Sequence, residues 1–184
     1  MLLFGVPIFK FKCKNHNEIK ELVCGNLESY STPKPWDCTV QSSFLKKLDW
    51  LENSKYLYTS DVKKLALQYD ADTVDYRVND IWINVYKKNH FQEYHNHCPS
   101  DFSAIHFVQF DEEHAGPIFK DPNEALSTYN SYMRFKNSIE YQVPVEEGDI
   151  IFFPSFLEHK VPKNKTDSKR ITISFNLNMG PKNV

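Results

Sequence analysis

The sequence predicts a mainly β fold, a sandwich or barrel of short strands with helical segments packed against it, and three observations carry that reading. From Tyr76 onward the chain breaks into short runs rich in β-branched and aromatic residues, separated by turn residues. Aromatic residues make up 15% of the 184 residues while glycine occurs only five times, which suits a bulky sheet core and leaves no glycine-rich phosphate loop. The helical signals precede the strands and do not alternate with them, which argues against βαβ units.

In chain order, Gly5 to Lys12 alternates as a short strand, and Asn15 or Asn17 can cap a helix through Glu18, Ile19, Leu22 and Val23. Residues 30–60 carry Pro33, Pro35, Trp36 and Trp50 with weak periodicity, and read mostly as loop with a short turn from Phe44 to Leu51. Ser60 and Asp61 precede Val62, Leu65, Ala66 and Tyr69, whose spacing puts them on one face of a helix ending near Asp70. Predicted strands follow at Ile81 to Tyr86, Phe102 to Phe110, Gly116 to Phe119, Tyr141 to Val145, Asp149 to Phe153 and Arg170 to Asn178. Lys163 to Lys169 reads as a polar loop.

The length suits one domain over 1–184, with strand, helical and loop support in 1–79 and the β core in 80–179. A net charge of -2 gives no basic footprint for gripping phosphates, so nucleic acid is not an expected partner. Cys13, Cys24, Cys38 and Cys98 are widely and irregularly spaced, which fits reduced thiols better than a disulfide framework or a structural zinc site. The opening run MLLFGVPIF has no basic leader and is broken by Lys10 and Lys12, so neither a signal peptide nor a membrane span is expected and the protein reads as cytoplasmic. A homodimer is compatible with the sequence.

The histidines are the chemistry-bearing feature. His95 and His97 stand at i and i+2, so in an extended segment both imidazoles point to one face, their Cα atoms roughly 6–7 Å apart. Such a pair arises by chance in about one in four or five chains with this histidine content, so its context decides its meaning. His159 follows Gly148-Asp149, a hydrophobic strand and the turn Pro154-Ser155, at a rigid strand end. Three neutral imidazoles suit iron(II), zinc, copper or nickel alike, and solvated loop histidines are the plain alternative. His16, His90 and His114 read as solvated, and His106 as a core residue on the strand face opposite Ser103 and Ile105.

The ordered set Trp82-Ile83-Asn84-Val85-Tyr86, His95-Asn96-His97, the Ser103 strand, Gly148-Asp149, Phe153-Pro154-Ser155, His159 and Arg170 to Asn176 resembles the 2-oxoglutarate and iron(II) oxygenases. It looks most like a branch found in marine bacteria and their phages, distantly similar to prolyl hydroxylases. The resemblance spans about residues 80–179. It implies a double-stranded β-helix, a cupin-like jelly roll, with N-terminal helices buttressing one sheet. It also implies iron(II) held by His95, His97 and His159, with His97 standing where most relatives carry Asp or Glu. Arg170 resembles the basic residue that clamps the far carboxylate of 2-oxoglutarate, a task suited to a planar guanidinium. Period two places Thr172, Ser174 and Asn176 on the face of Arg170, and Ile171, Ile173 and Phe175 on the other. Tyr86, Asn84, Thr172 and Ser103 are the further expected cosubstrate contacts. Arg134 is the rival for the carboxylate, within a loop over 121–140 that suits a substrate lid.

The implied activity is a dioxygenase reaction that hydroxylates an organic substrate with O2 and releases succinate and CO2, with ascorbate as a supporting reductant. A peptide or protein side chain is the first expectation for the substrate, on fold-level analogy. A phage-encoded version would act in the host cytoplasm. Two alternatives stay open: a three-histidine cupin dioxygenase that does not use 2-oxoglutarate, and a non-catalytic jelly-roll binding module.

Overall fold

The computed structural model describes residues 5–69, 74–123 and 140–182. Ten strands lie among them, in two antiparallel sheets that form a jelly roll. The larger sheet contains β1 (Phe9–Lys12), β2 (Gln41–Ser42), β3 (Val74–Tyr86), β5 (Phe102–Gln109), β8 (Asp149–Pro154) and β10 (Arg170–Pro181), in the order β1-β8-β5-β10-β3-β2. The smaller contains β4 (Gln92–His95), β6 (Ile118–Lys120), β7 (Glu140–Gln142) and β9 (His159–Val161), in the order β4-β9-β6-β7.

The larger sheet is built on the long β3–β10 pair, in which Arg170 faces Tyr86, Thr172 faces Asn84 and Ser174 faces Trp82. Alternation divides β10 as the sequence predicts. Ile171, Ile173 and Phe175 enter the core on the helix side, while Arg170, Thr172, Ser174 and Asn176 line a cavity between the sheets. β3 begins well before the predicted Ile81, because its first half pairs with the end of β10 beyond a register shift between Phe175 and Leu177.

Three helices cover the outer face: α1 (His16–Asn26), α2 (Asp49–Asn53) and α3 (Thr59–Ala66). Ile19, Val23, Leu51, Leu57, Val62 and Leu65 pack there against Ile83, Val85, Ala104, Phe152, Ile173 and Phe175. Each such aliphatic burial contributes roughly 1.5–3 kcal/mol, so short helices with weak intrinsic propensity are held by the sheet. The segment read as loop before residue 60 therefore contains α2 and a 3-10 turn over Lys55–Tyr58. Asn15 occupies the N-cap position of α1, yet its side chain donates to Leu57 O at 2.6 Å instead of capping the helix. Asp70, the expected end of the third helix, lies outside the described residues.

Two glycines are fixed by space. Gly148 turns the chain into β8 with φ +83°, a left-handed conformation that favours glycine, and a Cβ on Gly116 would stand 2.3 Å from Val143 O. Cys13, Cys24, Cys38 and Cys98 are free thiols. Among the described residues no helix is long and apolar enough to cross a membrane.

Candidate active site

Strands β4 and β9 meet with His95 opposite His159, which sets two imidazoles side by side, their ring centroids 4.3 Å apart. His97 lies just beyond the end of β4, anchored by its N–H to Ser155 O at 2.8 Å. Its ring centroid is 5.2 Å from that of His95 and 5.2 Å from that of His159. One ligand atom from each residue lies within 4.8 Å of those of the other two, which brings the three predicted histidines together.

The outer hydrogen bonds decide which nitrogens are free. Nδ1 of His95 faces Glu93 O at 2.8 Å, Nδ1 of His159 faces Leu157 O at 3.2 Å, and Nδ1 of His97 faces Asn176 Oδ1 at 3.0 Å. All three partners are carbonyl oxygens and can only accept, so each Nδ1 carries the proton and each Nε2 keeps its lone pair. Nε2 of His97 is buried without a partner. Burial pushes His97 down to about 4 and lowers His95 and His159 too, so all three are neutral near pH 7. Three neutral nitrogen donors with their other nitrogens fixed from behind fit a divalent first-row cation such as iron(II).

Asn176 orients His97 within a longer chain. The same Oδ1 accepts from Ser103 Oγ at 3.0 Å, and Ser103 and Ser155 hydroxyls bond at 2.7 Å. Ser103 was expected beside the cosubstrate; it does not line the cavity, because its hydroxyl is committed to Asn176 and Ser155. Ser155 was readable only as the end of the Phe153-Pro154-Ser155 motif and Asn176 only as part of the polar face of β10, and neither pointed to a hydrogen bond toward His97.

The cavity holds about 470 Å³. Arg170 lies at its base, 1% exposed, with its guanidinium 4.4 Å from the Tyr86 ring centre. It donates to Ala115 O at 2.6 Å and Pro162 O at 2.8 Å, while Nε–H has no partner. No carboxylate among the described residues pairs with it. A buried cation held only by neutral carbonyls, with donors to spare, is balanced when an anion enters the cavity. Thr172 also lines the cavity. Tyr86 spends its hydroxyl on Gln92 Oε1 at 2.9 Å, so it braces the guanidinium with its ring face. Asn84 gives Nδ2 to Ser174 Oγ at 3.2 Å and leaves Oδ1 buried and unpaired. Asn84 lines the cavity beside Thr172 and Tyr86, with a second amide N–H left to donate once the first has met Ser174.

The polar loop from Lys163 to Lys169 has a structural task that its composition hid. Asn164 is buried and donates to Tyr86 O at 2.9 Å and Ser168 O at 2.8 Å, which fixes the approach to Arg170. His114, expected to be solvated, is buried beside it and accepts from Asp111 N–H at 3.0 Å. His16, also expected to be solvated, instead bonds the buried His106. Arg134 and most of the expected lid lie outside the described residues.

The fold and site define a class: a jelly roll whose cavity gathers three imidazoles able to hold a metal ion above a buried arginine. Within that class, the chain belongs to the family described as "Putative 2OG-Fe(II) oxygenase", whose sequence profile matches residues 80–176, more than half of it. Similar solved structures share the fold at low identity. A prolyl-4-hydroxylase from Pseudomonas putida is 12% identical with a TM-score of 0.59, covering 95% of this chain and 93% of that one. A 2OG-Fe(II) oxygenase family oxidoreductase from Burkholderia pseudomallei is 13% identical with a TM-score of 0.65, covering 93% and 85%. HygX from Streptomyces hygroscopicus, solved with nickel, 2-oxoglutarate and hygromycin B bound, is 10% identical with a TM-score of 0.59, covering 94% and 83%. The comparison with curated proteins gives no match.

Proposed function

We propose that the protein is a 2-oxoglutarate-dependent iron(II) dioxygenase that hydroxylates a side chain of a peptide, protein or free amino acid. His95, His97 and His159 hold the metal through Nε2. Bound iron(II) supplies the coupling of two oxidations: O2, 2-oxoglutarate and a substrate C–H become succinate, CO2 and C–OH. Arg170 binds the far carboxylate of 2-oxoglutarate through its free Nε–H and remaining terminal N–H groups, and Thr172 adds a hydroxyl beside it. Tyr86 and Asn164 hold the arginine in place, and the Ser155–Ser103–Asn176 chain holds His97 in the Nδ1–H form. Ile105 and Phe107 give the cavity apolar walls that limit water at the reacting atoms.

The observation that carries this reading is Arg170: a buried guanidinium without a counter-ion, opening on the cavity that receives three imidazole lone pairs. The test is anaerobic loading with iron(II), followed by oxygen and 2-oxoglutarate, with succinate measured. The wild type should form succinate, whereas His95→Ala and Arg170→Ala should not at the same concentrations. No 2-oxoglutarate binding and no succinate from the loaded wild type would refute the proposal.

The neutral donor set, with His97 where a carboxylate is usual, favours one second reading: a three-histidine dioxygenase that binds its substrate directly to the metal. Under that reading Arg170→Ala would keep activity and 2-oxoglutarate would have no effect.

A further inference from the structure

The cavity has a sharply divided charge. Its base carries Arg170, while its opening carries Asp37, Asp80 and Glu93, all exposed; no lysine and no second arginine lines it among the described residues. None of these three carboxylates has a basic partner among the described residues. The bridge between Cys38 and Gln92 sets Asp37 opposite Glu93 on adjoining antiparallel segments. Like charges in that position repel, and a cation between them would relieve the repulsion.

The same opening is walled by aromatic rings. Trp36 and Phe44 lie 5.3 Å apart by centroid, Phe44 and Trp82 5.2 Å, and Trp82 stacks on His97 at 5.6 Å. Phe44 is 44% exposed, so the wall presents apolar surface toward solvent. On β3, Asp80, Trp82, Asn84 and Tyr86 share the cavity face, from the rim inward. Asn84, 3% exposed, also lines this cavity and leaves its Oδ1 acceptor buried without a partner. Carboxylates, ring faces and a buried neutral acceptor together bind a cation carried on an apolar stem, through charge, cation–π contact and a donated N–H. An anionic group is repelled at the rim and finds its place only at Arg170.

We infer that the substrate is a basic amino-acid side chain, lysine or arginine, admitted by Asp37, Asp80 and Glu93 and laid along the Trp36–Phe44–Trp82 wall toward the three histidines. The inference rests on the oxygenase reading above and sharpens its substrate.

The test uses the 184-residue protein loaded with manganese(II) and calorimetric titration. 2-Oxoglutarate is titrated first, and failure to bind it refutes the oxygenase reading itself. With 2-oxoglutarate bound, the probes are N-acetyl-lysine amide, N-acetyl-arginine amide, N-acetyl-glutamate amide and the neutral isostere N-acetyl-norleucine amide. Free lysine and a hexapeptide with one central lysine separate the amino-acid source from the peptide source. The basic probes should bind about tenfold or more tighter than norleucine at low ionic strength, and the preference should shrink as salt rises. The double variant Asp37→Asn with Glu93→Gln should bring the lysine probe to within about threefold of norleucine. Equal affinity for lysine and norleucine, no binding of any probe to the 2-oxoglutarate complex, or an undiminished preference in the double variant would each overturn the inference.

Discussion

Histidines lie on both sides of the larger sheet, and the two sets use their nitrogens in opposite ways. On the helix side, His16 Nδ1 meets His106 Nε2 at 3.0 Å, and Tyr58 OH meets His106 Nδ1 at 2.9 Å, so both nitrogens of His106 are spent within the protein. On the cavity side, each of His95, His97 and His159 spends only Nδ1, and its Nε2 remains available. Burial lowers the pKa in both places, His106 to about 3 and His97 to about 4. Burial and a depressed pKa therefore do not mark a metal site. Unspent lone pairs converging on one cavity are what set the candidate site apart.

The contrast can be broken most forcefully at the ligands. His159→Ala should weaken manganese(II) binding by about a hundredfold or more, beyond what outer contacts cost. His106→Gln should leave metal affinity within about twofold, since it lies behind the sheet and shares no partner with the site. Calorimetric titration of both variants checks this, and equal losses would erase the distinction. Next in size, Arg170→Ala should weaken 2-oxoglutarate binding by about thirtyfold or more while the metal still binds. Asn176→Ala should cost about tenfold in metal affinity by releasing His97, and Asn176→Asp, which keeps an acceptor, should recover most of it.

The smallest effect concerns stability on the helix side. The folded pKa of His106 lies below that of the unfolded chain, so the unfolded state takes up the proton first as pH falls. Its contribution is complete above about pH 6.5 and declines toward pH 3, by at most about 1.4 kcal/mol per pH unit. Denaturant midpoints across that window should fall less steeply for His106→Gln than for the wild type.

The long alternating strands were legible because period two survives without any knowledge of neighbours: β5, β8 and β10 lie where the residues predict them. β4 and β9 were not, being four and three residues long and, in β4, interrupted by a register shift between Gln92 and His95. The identities of the three cavity histidines were readable through their motifs. Their lone-pair directions were not, since Asn176 reaches His97 from 79 residues away. His16 and His114 misled for the same reason. Their local sequence is polar, while their hydrogen-bond partners, His106 for His16 and Thr166 and Ser168 for His114, are remote in the chain. The acids at the cavity rim carry no motif, and only the fold gathers Asp37, Asp80 and Glu93 around one opening.

The most direct measurement is a crystal structure of the protein soaked anaerobically with manganese(II) and 2-oxoglutarate. The account predicts one metal ion on Nε2 of His95, His97 and His159, with 2-oxoglutarate on the metal and its far carboxylate on Arg170. A metal bound without His97, or a 2-oxoglutarate molecule placed away from Arg170, would contradict it.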